Sequence, residues 1–186
     1  PGEYSYKYPV AGQPNSKVTL HSYDIDERKL SELTLPGSFE YIPRIFYTPE
    51  GKVLAVTLNR DQNRMEIYSV NPASKVAKSV FVDESKAWIS PETYEDLQIC
   101  ADGFIVNSSR SGFASLYKYS YTGALLRTVC EQQSDVTACY GQDAAGNIYY
   151  QIAAPTPLDR TVCRLDIKGK TTTLGENDGW NVASFS

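Results

Sequence analysis

His21 is the only histidine of the chain, and it bounds the hydrolytic chemistry the sequence can carry. A Ser-His-Asp relay needs an imidazole that takes the serine proton while a carboxylate fixes its tautomer. No G-x-S-x-G run presents a serine on a strained strand-to-helix turn. In Val18-Thr19-Leu20-His21-Ser22-Tyr23 the histidine falls in a period-two pattern and reads as an ordinary strand residue. Three acidic pairs, Asp26-Glu27, Asp83-Glu84 and Glu95-Asp96, have the residue type for general acid–base work. The first two lie at turn-like or loop-like positions, where solvated charge is the norm. Asp24-Ile25-Asp26 lacks the ligand order of a calcium loop and reads as a hairpin end. Cys100, Cys130, Cys139 and Cys163 show no C-x-x-C spacing, and one histidine cannot complete a zinc set with them. They read as buried small apolar residues, with a disulfide open to them in an oxidising compartment. No glycine-rich strand-to-helix segment cradles a phosphate. The residues therefore predict no catalytic group, no metal site and no cofactor.

Polar groups concentrate instead in Asn59-Arg60-Asp61-Gln62-Asn63-Arg64 and Ser108-Ser109-Arg110-Ser111-Gly112-Phe113. Loops on a rigid scaffold often bind ligands, but repeated polar residues also brace neighbouring units, and bracing is the reading preferred here. Trp88 and Trp180 each open a repeat and read as packing between units rather than as ligand platforms.

Fourteen tyrosines, many β-branched residues and runs such as Lys52-Val53-Leu54-Ala55-Val56-Thr57-Leu58 predict strands that hold these loops. Turn signals recur at Pro49-Glu50-Gly51, Ala101-Asp102-Gly103 and Ala145-Gly146-Asn147, each between two strand-like runs. Their glycines are spaced by about 52 and then about 43 residues, near the roughly 40–50 of a four-stranded propeller blade. Each unit repeats one order. First strands are expected at 44–48, 95–99 and 137–140, third strands at 65–68, 115–119 and 163–167, and fourth strands at 76–81, 125–129 and 171–174. The fold class is all-β: a partial β-propeller of about three complete four-stranded antiparallel blades (42–82, 94–130 and 135–175). Part-blades are expected at both ends, at 4–35 and 180–186. Such a piece leaves apolar faces and strand edges open, so association is expected.

The 186 residues are enough for one folding unit. The net charge of -4 and the scattered Lys and Arg exclude a nucleic-acid footprint. No apolar run approaches the roughly 20 residues that cross a bilayer, and Pro1-Gly2-Glu3-Tyr4 has no signal-peptide pattern. With Met65 the only methionine, Pro1 reads as an excision or processing point.

At Tyr8-Pro9-Val10-Ala11-Gly12, followed by Asn15 and Val18, the sequence resembles the Y-P-x-A-G segment of the dipeptidyl peptidase IV N-terminal propeller, bacterial enzymes included. The resemblance continues through Tyr41-Ile42-Pro43-Arg44-Ile45, Leu58-Asn59-Arg60, Trp88-Ile89 and Trp180-Asn181-Val182-Ala183-Ser184-Phe185-Ser186. It implies an accessory role. Similar enzymes are secreted or membrane-anchored serine peptidases that release dipeptides with Pro or Ala second, and their eight-bladed propeller caps an α/β-hydrolase domain. The family's glutamate pair and arginine would precede Pro1 and the triad would follow Ser186. The expected partners are thus a hydrolase domain of the same parent chain and a peptide substrate. Trp88, Ile89, Ser90 and Pro91 match a family loop bordering the substrate cavity. A family extension crossing the dimer interface corresponds to about 33–41, which points to Pro36, Gly37, Ser38 and Phe39 as a homodimer contact. The resemblance implies an extracytoplasmic location. The rival readings are a stand-alone propeller that binds protein partners, and a sugar-binding propeller that would need aromatic platforms on one rim.

Overall fold

A computed structural model describes residues 2–6, 8, 10–129, 133–176 and 178–185. Pro1, Pro9, Cys130 and Ser186 of the readings above lie outside them. Chain order begins with a two-stranded hairpin, β1 (His21–Asp24) and β2 (Lys29–Glu32). A first sheet follows, β3 (Tyr41–Tyr47), β4 (Val53–Leu58), β5 (Arg64–Val70) and β6 (Ala77–Glu84). A one-turn helix α1 (Glu92–Glu95) leads to the second, β7 (Gln98–Cys100), β8 (Gly103–Ser108), β9 (Ser115–Tyr119) and β10 (Leu125–Val129). The third holds β11 (Val136–Gln142), β12 (Ile148–Ile152), β13 (Thr161–Leu165) and β14 (Thr171–Leu174). Within each sheet the strands pair antiparallel in sequence order, so each is a simple four-stranded meander.

Three apolar clusters show how the sheets stack. Alternate side chains point to opposite faces of a strand. In β4, Leu54, Val56 and Leu58 enter the core shared with Phe104, Val106 and Tyr117 of the second sheet. Val53 and Ala55 point the other way, into a core with Leu33 and Leu35. Ile105 and Leu116 of the second sheet join Val136, Ile148 and Leu165 of the third. The whole of β4 is consequently buried, because both faces of its sheet are covered.

One five-residue turn recurs along one rim. In 48–52, 120–124, 143–147 and 166–170, the first residue is Thr, Ser or Asp, and the fourth is a glycine in the left-handed region (φ 73 to 92°). The glycine N–H donates to the first carbonyl in each turn. Thr48 Oγ1, Ser120 Oγ, Asp143 Oδ1 and Asp166 Oδ1 each accept from the backbone N–H of the fifth residue, at 2.9–3.1 Å. This side-chain cap closes the hairpins.

The structure corrects several expectations. The strand expected at 95–99 is β7, starting at Gln98, because Pro91 has helical torsions (φ -54°) and starts α1. Glu95 N–H and Asp96 N–H then bond to Pro91 O and Glu92 O, while Tyr94 and Leu97 turn inward. Gly103 is no turn glycine with positive φ: an added Cβ would lie 2.0 Å from the Tyr119 carbonyl oxygen, so the site demands close backbone approach. Trp88 and Trp180 are not packed between sheets; they are 55% and 66% exposed. In place of a strand over 180–186, Trp180 makes a single parallel bridge to Arg160, and 181–185 carry none.

Candidate functional site

The meander sorts the loops onto two rims. The five-residue turns and the 71–75 turn lie on one, while 59–63, 85–91 and 109–114 lie on the other, which carries the long, irregular connections. Asn59 shapes the first of these. Its Oδ1 accepts from Asn63 and Arg64 N–H at 3.0 and 2.9 Å, and its Nδ2 donates to Asn63 Oδ1 at 2.7 Å. Gln62, with φ 52°, is thereby lifted toward the crossover from β6 to α1.

That crossover is clamped to it. Ile89 N–H donates to Gln62 O at 2.8 Å, Ser85 N–H to Asn63 O at 2.8 Å, and Trp88 Nε1–H to Gln62 Oε1 at 3.1 Å. Ile89 is buried beneath, and the indole of Trp88 stands held by its edge with its ring open to solvent. Ser90 Oγ donates to Glu92 Oε2. A cleft of about 420 Å³ opens beside this loop, lined by Trp88, Ile89, Ser90, Glu84, Lys86 and Arg110 among others. A narrower slot of about 190 Å³ continues between the second and third sheets past Ser90, Asp96, Asn107 and Cys139. Burial pushes the Asp96 carboxyl up, helped by the charges of Glu92 and Glu95. Burial pushes the Cys139 thiol up to about 12, so no thiolate is at hand for nucleophilic work.

Arg110 braces rather than binds. Its guanidinium lies 4.7 Å from the centre of the Phe81 ring and 5.1 Å from that of Tyr117. It donates to Val82 O at 3.0 Å, Asp83 Oδ1 at 3.3 Å, Tyr119 Oη at 3.2 Å and Ser108 Oγ at 3.2 Å. The first two partners belong to the first sheet, so one side chain ties adjacent blades. Three carboxylates of the acidic pairs, those of Asp83, Glu84 and Glu95, are spent on ion pairs. Asp83 faces Arg110, Glu84 bonds Arg64 and Glu95 bonds Arg44, while Asp24 Oδ1 caps the hairpin turn at Asp26 and Glu27. His21 Nε2 meets Thr19 Oγ1 at 2.9 Å on an exposed edge. Among the described residues no group of His, Cys, Asp and Glu is arranged to hold a metal ion.

The other sequence-predicted contact leads into Glu40, whose N–H donates to Leu58 O at 2.8 Å and whose carboxylate meets Arg60 of the 59–63 loop at 3.1 Å. Pro36, Gly37 and Ser38 are exposed, Phe39 is half-buried against the core beneath the first sheet, and Gly37 (φ 91°) sits where a Cβ would meet Tyr68 Oη at 2.8 Å. Sequence reasoning missed Gln62 as the clamp of Trp88; only its place in a polar loop signalled it.

Stacked four-stranded meanders that share a core across every junction define the class of this chain, a segment of a β-propeller. Its whole length, residues 1–186, matches the dipeptidyl peptidase IV (DPP IV) N-terminal region, and the chain belongs to that family. A solved relative, Porphyromonas gingivalis dipeptidyl peptidase 4, superposes with a TM-score of 0.92 at 39% identity, over 98% of this chain and 26% of that one. Probable dipeptidyl-aminopeptidase B of Aspergillus oryzae is 28% identical over 97% of this chain and 22% of its own length. The Aspergillus niger protein of the same name is 30% identical over 47% of this chain and 11% of its own. The chain thus spans about a quarter or less of the relatives it matches.

Proposed function

We propose that this chain is the non-catalytic propeller portion of a dipeptidyl peptidase IV-like serine exopeptidase. It gates and shapes the access of peptides to a hydrolase domain elsewhere in the parent, which releases N-terminal dipeptides with Pro or Ala second. The observation that carries the reading is the asymmetry of the rims within a family-wide match. One rim is built of short, side-chain-capped turns, while the other carries the long, irregular connections, with the clamped 85–91 crossover, its exposed Trp88 and the cleft beside it. Loops positioned by a rigid scaffold are where propellers place their contacts. Trp88, Ile89, Ser90 and Pro91 then border the substrate chamber, and the same rim faces the hydrolase domain. Pro36, Gly37, Ser38 and Phe39 are the proposed homodimer contact, and the parent is extracytoplasmic.

The test is release of a chromogenic Gly-Pro anilide by the intact parent beside residues 1–186 alone, with and without a serine-directed inhibitor. Inhibitable activity of the parent with an inert chain is the expected result. A folded parent that releases no dipeptide, whatever the second residue, would sink the reading.

A further inference from the structure

A second cleft lies on the opposite rim, between the first and second sheets, and its chemistry is unlike that of the loops around Trp88. It encloses about 400 Å³ and is lined by Lys52, Ser69, Asn71, Lys78, Tyr121 and Thr122 among others. Strand periodicity explains why. Leu54, Ile67 and Val80 on β4, β5 and β6 all point into the core between these sheets. Two residues toward the rim stand Lys52, the last residue of the 48–52 turn before β4, and Ser69 and Lys78 on β5 and β6, and side chains two apart along an extended chain share a face. Ser69 and Lys78 are direct cross-strand partners. The interface that is apolar for most of its length therefore turns basic and hydroxylic at one level, and the sheets part there.

Both walls are fixed before any ligand arrives. On the far side, Tyr121 Oη donates to Cys100 O at 2.6 Å, and Gly123 packs so closely on β6 that an added Cβ would lie 3.0 Å from Val80 O. On the near side, Asn71 Oδ1 accepts from Ala73 and Ser74 N–H at 2.9 and 3.1 Å, which fixes the amide and leaves its NH₂ as the donating edge. No carboxylate lines the cleft among the described residues. Three acids lie in reach: Glu50 bonds Lys52 Nζ at 2.7 Å, Asp102 bonds Lys118 Nζ at 2.7 Å, and Glu66 is held by Arg64, Ser79 and Tyr68.

We propose that this cleft is an oxyanion site, taking a small solute through a phosphate, sulfate or carboxylate group. Lys52 and Lys78 supply the charge, Asn71 the fixed amide donor and Ser69 a hydroxyl. Charge-assisted hydrogen bonds from preset donors are the strong kind, and a preformed cleft spares the ordering cost of binding. The proposal is independent of the peptidase reading, since it uses the other rim.

The experiment is calorimetric titration of the intact parent with inorganic phosphate, sulfate and acetate at constant ionic strength. Saturable binding of at least one anion is expected, and the ranking of the three identifies the group. The double variant Lys52→Gln/Lys78→Gln should weaken it by about a hundredfold, roughly tenfold per lysine. Lys29→Gln, on the distant β2, should leave it unchanged. Glu50→Gln removes the carboxylate that competes for Lys52 and should tighten binding, which a merely structural lysine would not do. Absence of saturation with all three anions, or equal affinity in the double variant, overturns the proposal.

Discussion

Arg110 is the side chain on which the junction between the first two sheets most depends. Asp83, with 9% of its side chain exposed, has this guanidinium as its ion-pair partner. Arg110→Ala would leave that carboxylate buried and uncompensated, and would open the space between Phe81 and Tyr117. The expected cost is about 2–4 kcal/mol in urea unfolding. Arg110→Lys should recover little of it, because an ammonium cannot serve four acceptors and two ring faces at once. Glu66 supports a prediction with a pH sign. Burial drives its pKa up, but hydrogen bonds from Ser79, Arg64 and Tyr68 outweigh this and hold it below 4.5. A carboxyl depressed by folding contributes stability above its unfolded value and loses it as pH falls through the folded one. Glu66→Gln should therefore be less stable than the wild type at neutral pH by about 1–2 kcal/mol. The gap should close as the pH is taken below 4.5, and thermal melts across that range would show it.

At the scale of elements, two glycines separate a conformational demand from a steric one. Gly169 has φ 89° and open space around its missing Cβ. Gly169→Ala should cost about 1 kcal/mol, the price of a left-handed alanine. Gly103 meets the Tyr119 carbonyl in β9, so Gly103→Ala must push two strands apart and should cost more, about 2–4 kcal/mol. Equal melting temperatures for the two variants would contradict this account. The same pair shows what the sequence made legible. Gly103 stands in an Asp-Gly step between strand-like runs and reads as a turn residue; its contact is with a strand whose distance no local pattern reveals. The strands themselves were legible, and β9, β10 and β14 fall where the turn chemistry places them. Helix α1 was not, because four residues give a period of 3.6 no room to show against the strand signal of Leu97, Gln98 and Ile99. Trp88 misled for a related reason: ring size argues for burial, but the clamp from Gln62 holds this ring at the surface. The Lys52, Ser69 and Lys78 level was invisible until the register of three strands was known.

Across the whole molecule, burial is two-sided within the stack and one-sided at its ends. The β1–β2 hairpin pairs Tyr23 with Leu30, and both are open, at 58% and 64% exposure. At the other end Phe185 lies 5.4 Å from Tyr140 and 4.7 Å from Tyr149, ring centre to ring centre, and is 47% exposed. Ile167, 65% exposed, extends the apolar surface of the third sheet. Inside the stack every such face is covered by the next sheet, and a meander blade is stable only with neighbours on both sides. Residues 1–186 produced alone should therefore self-associate end to end at micromolar concentration, seen as concentration-dependent sedimentation. The contact joins two different faces, so it can extend from copy to copy instead of closing at a dimer. Changing one end, with Tyr23→Thr and Leu30→Thr, should stop the growth as well as changing the other with Phe185→Ser. Combining the two sets should add little, since either end is needed for each junction. A chain that sediments as a monomer at every concentration would show that its end faces need no cover, and the stacking account of its stability would fall with that result.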